Sequence, residues 1–467
     1  MRTPKDLRPY QQRIATALYE NDEQLCVLRP GGGKTAAALT AIADLLRDKV
    51  IRHALVIAPK RVACVVWPDE IEEWAHTNQL SYSILNNAPL ERAQLLQCWG
   101  LRHITLIGLD LVPWLLEQMD DLAPDHMAWD LLVIDEASRL RNPSGVRARV
   151  LAKQAHRFRM IWGLSGTLRP SSALDLFMPV RIVTRGKLWG RSFGQWQRKY
   201  FYPTDYMQYS WKPLPDTETK LNADIAPLTV MVEEGEMPLV HPTIVFDRVR
   251  LPHDVREKYE DMRSKLVANV EGEPLIAASA GVATGKLAQM ANGFVYDANQ
   301  KAAHLHDAKI EWLEDIVDNA TDPTLLIYEF RDDLEWMMQI VEDATKQPFR
   351  YLGGGVSDKQ AAENITDWNA GRLRFMGLHP ASGGHGLNLQ HGGADMAWLS
   401  PCWSPEYWEQ TIARIARPGQ TRPVVVRVCI ADDTVDGLKV NRVFYKMSAQ
   451  EAFEAWLRTW HSKQKAA

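Results

Sequence analysis

The chain has 467 residues, 46% hydrophobic and 24% charged, proportions of a folded chain that exclude a largely disordered one. Its 54 Lys and Arg against 58 Asp and Glu leave a net charge of −4, which excludes a histone-like polycation but leaves room for a local basic groove. Five scattered cysteines (Cys26, Cys64, Cys98, Cys402, Cys429) form no C-x-x-C pair, so neither a disulfide framework nor a zinc finger is expected, and a reducing compartment fits. No secretory apolar stretch opens the sequence, and no apolar run approaches the roughly 20 residues of a membrane span. A soluble intracellular protein is expected.

Length alone gives about three domains as a prior. Four short β-rich runs come first, at residues 25–28, 54–58, 104–107 and 131–134, each followed by turn residues and a helical pattern. Strands that alternate with helices and are apolar on both faces predict a parallel α/β sheet. The same rhythm returns at 324–328, 375–378, 396–399 and 424–428, which predicts a second α/β block. Between the blocks, residues 186–307 are rich in aromatic, charged and Pro residues, with a helix predicted from about His253. This segment reads as a mostly helical protrusion or linker. The aromatic cluster from Trp189 to Trp211 is expected to pack within it, a strand-separating element being the other reading. A Trp-bearing amphipathic helix is predicted from about Ser448.

Three motifs carry chemistry. The first runs from a predicted strand through Arg29, Pro30, Gly31, Gly32 and Gly33 to Lys34 and Thr35, and then into an Ala-rich helix. Glycines let backbone N–H groups close on phosphate oxygens, and the helix N-terminus favours the anion. Lys34 is expected at the β- and γ-phosphates and the Thr35 hydroxyl on Mg²⁺. Leu28 occupies the position of the first glycine of the strict G-x-x-x-x-G-K-T pattern. In the second motif, an apolar strand delivers Asp135 and Glu136. Asp135 is expected to hold the metal through water, while Glu136 polarises the attacking water. The third motif holds Arg414 and Arg417 in the second block; three apart, they would share a face of a helix and could address one anion across a cleft.

Together these residues resemble the superfamily 2 helicase-type motors, and more narrowly the Swi/Snf-type DNA translocases. The segment around Gln11 resembles the family's adenine-reading opening. Residues 58–61, with Lys60 and Arg61, followed by Trp67 and Trp74, resemble the motif that touches the tracking strand. Residues 135–143 resemble the Asp-Glu-Ala-His box and its Arg-Asn-Pro extension, with Ser138 in place of His. Residues 164–167, with Ser165 and Thr167, resemble the coupling motif, and Leu168 replaces its usual Pro. In the second block, residues 382–389, Trp403 to Pro405, and 410–420 match in order and spacing.

The resemblance implies two RecA-like lobes joined by the helical segment, with boundaries 1–185, 186–307 and 308–467; the first lobe extending to about 245 is the alternative. It implies an ATPase using Mg²⁺, with Gln410, Arg414 and Arg417 joining Glu136 in catalysis. Ser165, Thr167 and Gly386 would couple the nucleotide to DNA, and Lys60, Arg61, Ser382 and Gly383 would contact nucleic acid. The expected activity is ATP-driven movement along, or remodelling of, double-stranded DNA. Branched-DNA remodelling or annealing, an RNA helicase, and an ATP-gated DNA clamp with little turnover are the alternatives. A monomer in a bacterial or phage-infected cytoplasm is expected.

Overall fold

The computed structural model describes residues 1–97, 102–122, 128–169, 172–208, 210–232, 236–237, 240–272, 277–297, 299, 301–383 and 387–444. The chain divides into two compact units, Met1–Pro238 and Leu239–Ala467. In the first, the strands are β1 (Glu23–Val27), β2 (Ala54–Ala58), β3 (Tyr82–Ile84), β4 (Ile104–Gly108), β5 (Leu131–Asp135) and β6 (Met160–Ser165). A hairpin of β7 (Phe201–Pro203) and β8 (Trp211–Pro213) follows, and then β9 (Thr229–Met231). Seven of these form one sheet, ordered β3-β4-β2-β5-β6-β1-β9, and every pairing in it is parallel.

Alternation along each strand feeds two cores. Leu55 and Ile57 of β2 and Leu132 and Ile134 of β5 join the apolar cluster on one face. Ala54, Val56 and Ala58, with Leu131 and Val133, join the cluster on the other. Such a sheet must be apolar on both faces because helices cover both.

The second unit repeats the scheme with β10 (Thr243–Val249), a hairpin of β11 (Phe294–Tyr296) and β12 (Ala302–His304), β13 (Thr324–Ile327), β14 (Tyr351–Leu352), β15 (Phe375–Leu378), β16 (Asp395–Trp398) and β17 (Val425–Ala431). Its six-stranded sheet runs β10-β17-β16-β13-β15-β14, again parallel throughout. Leu325 and Ile327 face one core and Leu326 the other. The α/β class with two parallel sheets is therefore the one the sequence predicts, and all eight predicted strands lie in them.

Residues 186–307 are shared between the units. Trp189, Phe193, Trp196, Tyr200 and Phe201 pack against the first unit's core, and β9 extends its sheet beside β1. In the second unit β10 pairs with β17 as the sheet's edge. The helices His253–Gly272 and Ala277–Asn292 follow it, the first beginning where the sequence predicts. The helix predicted from Ser448 lies outside the described residues. Among the described residues no helix is long and apolar enough to cross a membrane.

Parallel strands place all their carboxyl ends on one edge, where α/β sheets bind ligands. In the first unit that edge carries the segments after β1, β2, β5 and β6, which hold the predicted phosphate loop, Lys60 and Arg61, the acidic pair, and Ser165 to Thr167.

Candidate functional site

After β1 the chain enters a turn in which Gly31 and Gly33 take φ of 81° and 82°, a backbone region that favours glycine. Gly33 caps the helix Lys34–Arg47. Space as well as conformation demands glycine here. A Cβ on Gly32 would meet the Leu28 side chain at 2.5 Å, and one on Gly33 would meet Gln11 Nε2 at 2.1 Å. Leu28 is buried in the core, and its N–H donates to the Ser165 carbonyl at 3.0 Å. The residue that breaks the strict glycine pattern thus follows directly on β1 and carries its pairing with β6 one residue further.

Gln11 is buried and spends its amide on the loop. Its Nε2 donates to the Gly32 carbonyl at 2.9 Å, and its Oε1 accepts from Arg8 N–H at 2.9 Å. The Tyr10 hydroxyl donates to the same carbonyl at 3.0 Å, a contact that no sequence pattern announces.

Lys34 Nζ lies 3.1 Å from Glu136 Oε1, with the two side chains 10% and 15% exposed. Burial opposes the Lys34 charge, but the Glu136 and Asp135 carboxylates outweigh it and hold its pKa above the ordinary value. Asp135 is pushed up by burial and by the neighbouring Glu136 charge. It accepts hydrogen bonds from Trp67 Nε1 at 3.0 Å and from Glu136 N–H at 3.0 Å. Glu136 itself adopts φ 55° and ψ 52°, a left-handed conformation that costs a residue with a Cβ about 1–3 kcal/mol and tends to be kept at functional sites. Ser165 Oγ donates to the Thr167 carbonyl at 2.5 Å, and a Cβ on Gly166 would come within 3.9 Å of Lys34 Nζ. The first unit thus gathers Gln11, Gly31, Gly32, Gly33, Lys34, Asp135, Glu136 and the Ser165–Thr167 turn around one loop.

Lys60 and Arg61 follow β2 at the same sheet edge and lead into a π-helical stretch, Val62–Val66, a local widening common at functional sites. Trp67 and Trp74, which follow them in the sequence, both turn inward. Trp67 is fully buried against Asp135. Trp74 is buried too, and its Nε1 donates to Glu70 Oε2 at 2.9 Å. The departures from the family pattern are buried as well: Ser138 and Leu168 are 1% and 5% exposed.

In the second unit, Gln410 is buried on the helix Pro405–Ile412, its Nε2 donating to Glu406 Oε1 at 3.1 Å. The sequence reading puts Arg414 and Arg417 on one face of a helix. They lie instead beyond its end, in successive turns closed by Arg414 N–H to Thr411 O and Gln420 N–H to Arg417 O, both 3.0 Å. Pro418 cannot continue a helix, and Gly419 has φ of 102°. The two guanidinium groups still converge: Nη1 of each donates to the Leu387 carbonyl, at 3.3 and 3.2 Å. Ser382 and Gly383 close a short helical turn, Pro380–Gly383, after β15. Gly386 lies outside the described residues.

The first-unit residues fit a magnesium ion in kind. Asp135 and the Thr35 hydroxyl are hard oxygen donors, next to a loop with no room for a Cβ. Among the described residues no group of three or more His, Cys, Asp or Glu could hold a metal, so such an ion would also need oxygens from phosphate and water.

A profile of the SNF2-related domain matches residues 10–233. Over 462 residues the chain is 30% identical to putative protein p41 of Acyrthosiphon pisum secondary endosymbiont phage 1, covering 95% of this chain and 97% of that one. It is 22% identical to the DNA repair and recombination protein RAD54-like of Drosophila grimshawi, over 95% of this chain but 62% of that protein's length. The Sulfolobus solfataricus SWI2/SNF2 ATPase core in complex with dsDNA is 20% identical, with a TM-score of 0.44 and coverage of 96% and 92%.

Proposed function

The chain belongs to the SNF2-related family of helicase-type ATPases, and from that premise we propose that it is an ATP-driven motor on double-stranded DNA. The observation that carries the reading is the loop at the end of β1, where a glycine turn, Lys34 and the Asp135–Glu136 pair meet. In this reading the turn and the helix N-terminus after it bind the nucleotide phosphates. Lys34 leaves Glu136 for the phosphate oxygens, which frees the carboxylate to orient the attacking water. Thr35 and Asp135 would hold Mg²⁺, Asp135 through water, and the ion would neutralise charge on the phosphates. Gln11 reads the base.

Gln410, Arg414 and Arg417 of the second unit are assigned to catalysis in this reading, and a conformational preference that ATP creates and hydrolysis removes would drive the cycle. Ser165, Thr167 and Gly386 transmit the change. Lys60, Arg61, Ser382 and Gly383 hold the DNA backbone, giving contacts blind to sequence and weakened by salt. The phage relative supports action in a bacterial or phage-infected cytoplasm, and a monomer suffices for the cycle.

The test is ATP hydrolysis with no nucleic acid, single-stranded DNA, blunt duplex and RNA, alongside a Lys34→Ala variant. Stimulation by duplex that is lost in the variant is expected. Equal turnover on all four would reject the DNA motor.

A further inference from the structure

The hairpin of β7 and β8 has two unlike faces. At its root, Phe201 is buried with its ring 5.4 Å from that of Trp196. Trp189 Nε1 and the Tyr200 hydroxyl both donate to Asp224, at 2.8 and 3.2 Å. On the opposite face Tyr202 pairs with Lys212 across the ladder, and both are exposed. The tip is closed by its own hydrogen bonds. Thr204 N–H donates to Ser210 O at 2.8 Å, Ser210 N–H to Asp205 Oδ2 at 2.5 Å, and Trp211 Nε1 to Gln208 O at 2.8 Å. A firmly rooted, self-closed tip nevertheless leaves Tyr206 98% exposed and Met207 63% exposed.

The hairpin together with the residues that lead into it forms a locally basic segment. Residues 191–213 contain Arg191, Arg198, Lys199 and Lys212, all exposed, and a single acid, Asp205. That acid already accepts the Ser210 N–H. The segment is net positive, whereas the chain as a whole carries −4. Basic residues flanking an exposed ring suit a polyanion that also offers flat apolar faces, which is the description of a nucleic acid. An apolar protein pocket would account for Tyr206 and Met207 but not for the four cations.

We propose that this hairpin is a DNA contact in which Tyr206 stacks on an unpaired base at a duplex junction, while Arg198, Lys199 and Lys212 hold the flanking phosphates. The inference rests on the reading of the chain as a DNA motor and adds a preference for branched DNA. Bases within a duplex are already stacked on their neighbours. The interior of a duplex therefore offers the ring no free face, whereas a junction or an open strand does.

The experiment uses the full chain and a forked duplex with 2-aminopurine at the branch. Fork affinity and 2-aminopurine fluorescence are read without ATP, and ATPase is read separately on blunt duplex. Wild type should bind the fork more tightly than the blunt duplex and quench the fluorescence. Tyr206→Ala should lose about 5- to 150-fold in fork affinity, the worth of one stacked base, and lose the quench, while duplex-stimulated ATPase is unchanged. Tyr206→Trp should keep both fork signals. A Lys199→Ala, Lys212→Ala double variant should weaken fork and duplex binding alike and flatten the salt dependence.

If wild type and Tyr206→Ala bind the fork equally and neither quenches the probe, the inference is overturned whatever the ATPase shows. That result would leave the hairpin to a protein partner. Wild type that binds and quenches the fork but shows no DNA-stimulated turnover would instead reject the motor and leave the hairpin contact standing.

Discussion

Replacing Lys309 with Met should unfold the second unit far more readily than removing both members of its ion pair. Lys309 and Asp436 are both 0% exposed, with Nζ and Oδ2 2.7 Å apart. At an effective dielectric of about 20 their attraction is about 6 kcal/mol, and desolvating each ion opposes it by several kcal/mol. The intact pair thus adds little net stability, but a lone partner is costly. In Lys309→Met, Asp436 keeps only the Ala431 N–H at 3.1 Å among the bonds to its Oδ2, and Asn292 Oδ1 loses its 2.9 Å donor. An uncompensated buried charge costs about 3–5 kcal/mol. For a unit of this size that lowers the melting temperature by about 6–20 °C. The assay is thermal unfolding followed by circular dichroism for wild type, Lys309→Met, Asp436→Leu and the double variant. The double variant should recover much of the loss. A single variant within about 1 kcal/mol of wild type, or strict additivity of the two singles, would refute the reasoning.

Three further outcomes follow from side-chain environments. Trp67→Phe removes the donor that holds Asp135 at 3.0 Å; a hydrogen bond to a charged group is worth about 1.5–3 kcal/mol, so steady-state ATP turnover should fall about tenfold or more while the fold is retained. Burial pushes the Asp333 carboxyl up to about 6, above its unfolded value. The folded state therefore binds the proton first, and the contribution of Asp333 to stability grows as pH falls from about 6 toward 4. The melting temperature of wild type relative to Asp333→Asn should rise over that window, and a flat difference would contradict the assignment. Burial also pushes the thiols of Cys26, Cys402 and Cys429 up to about 12, so at pH 8 iodoacetamide should modify half-buried Cys64 before any of these three, as read by mass spectrometry.

Both sheets were legible because their central strands are unbroken apolar runs that end in turn residues. Residues 54–58 and 131–134 need no context to read as buried strands. The loop from Gly31 to Thr35 and the Asp135–Glu136 pair were legible for a related reason, since each is a short contiguous string. What escaped lies in long-range pairing. Thr229–Met231 is three residues long and becomes a strand only beside β1. Thr243–Val249 is half-exposed along its length and gains its place from β17. Lys309 and Asp436 are 127 residues apart, and nothing near either one marks it as half of a buried pair.

Spacing misled at one point, and burial was not legible at another. Arg414 and Arg417 do meet, through the Leu387 carbonyl, but the helix assumed to align them ends at Ile412. Trp67 stands beside a basic motif in sequence, yet the π-helical stretch before it delivers the ring inward to Asp135. A period of 3.6 cannot foresee such a stretch. The aromatic cluster was read as one object. Its first members are core, whereas Tyr202 and, at the hairpin tip, Tyr206 are exposed.

The central claim is that ATP hydrolysis at Lys34 and Glu136 drives movement along duplex DNA. It is tested most directly by displacement of a third strand bound in the major groove downstream of where the protein loads. ATP-dependent release by wild type, absent with Lys34→Ala and with Glu136→Gln, is the predicted result. Vigorous duplex-stimulated hydrolysis with no release of the third strand would contradict the claim and make the chain a DNA-gated ATPase that does not travel.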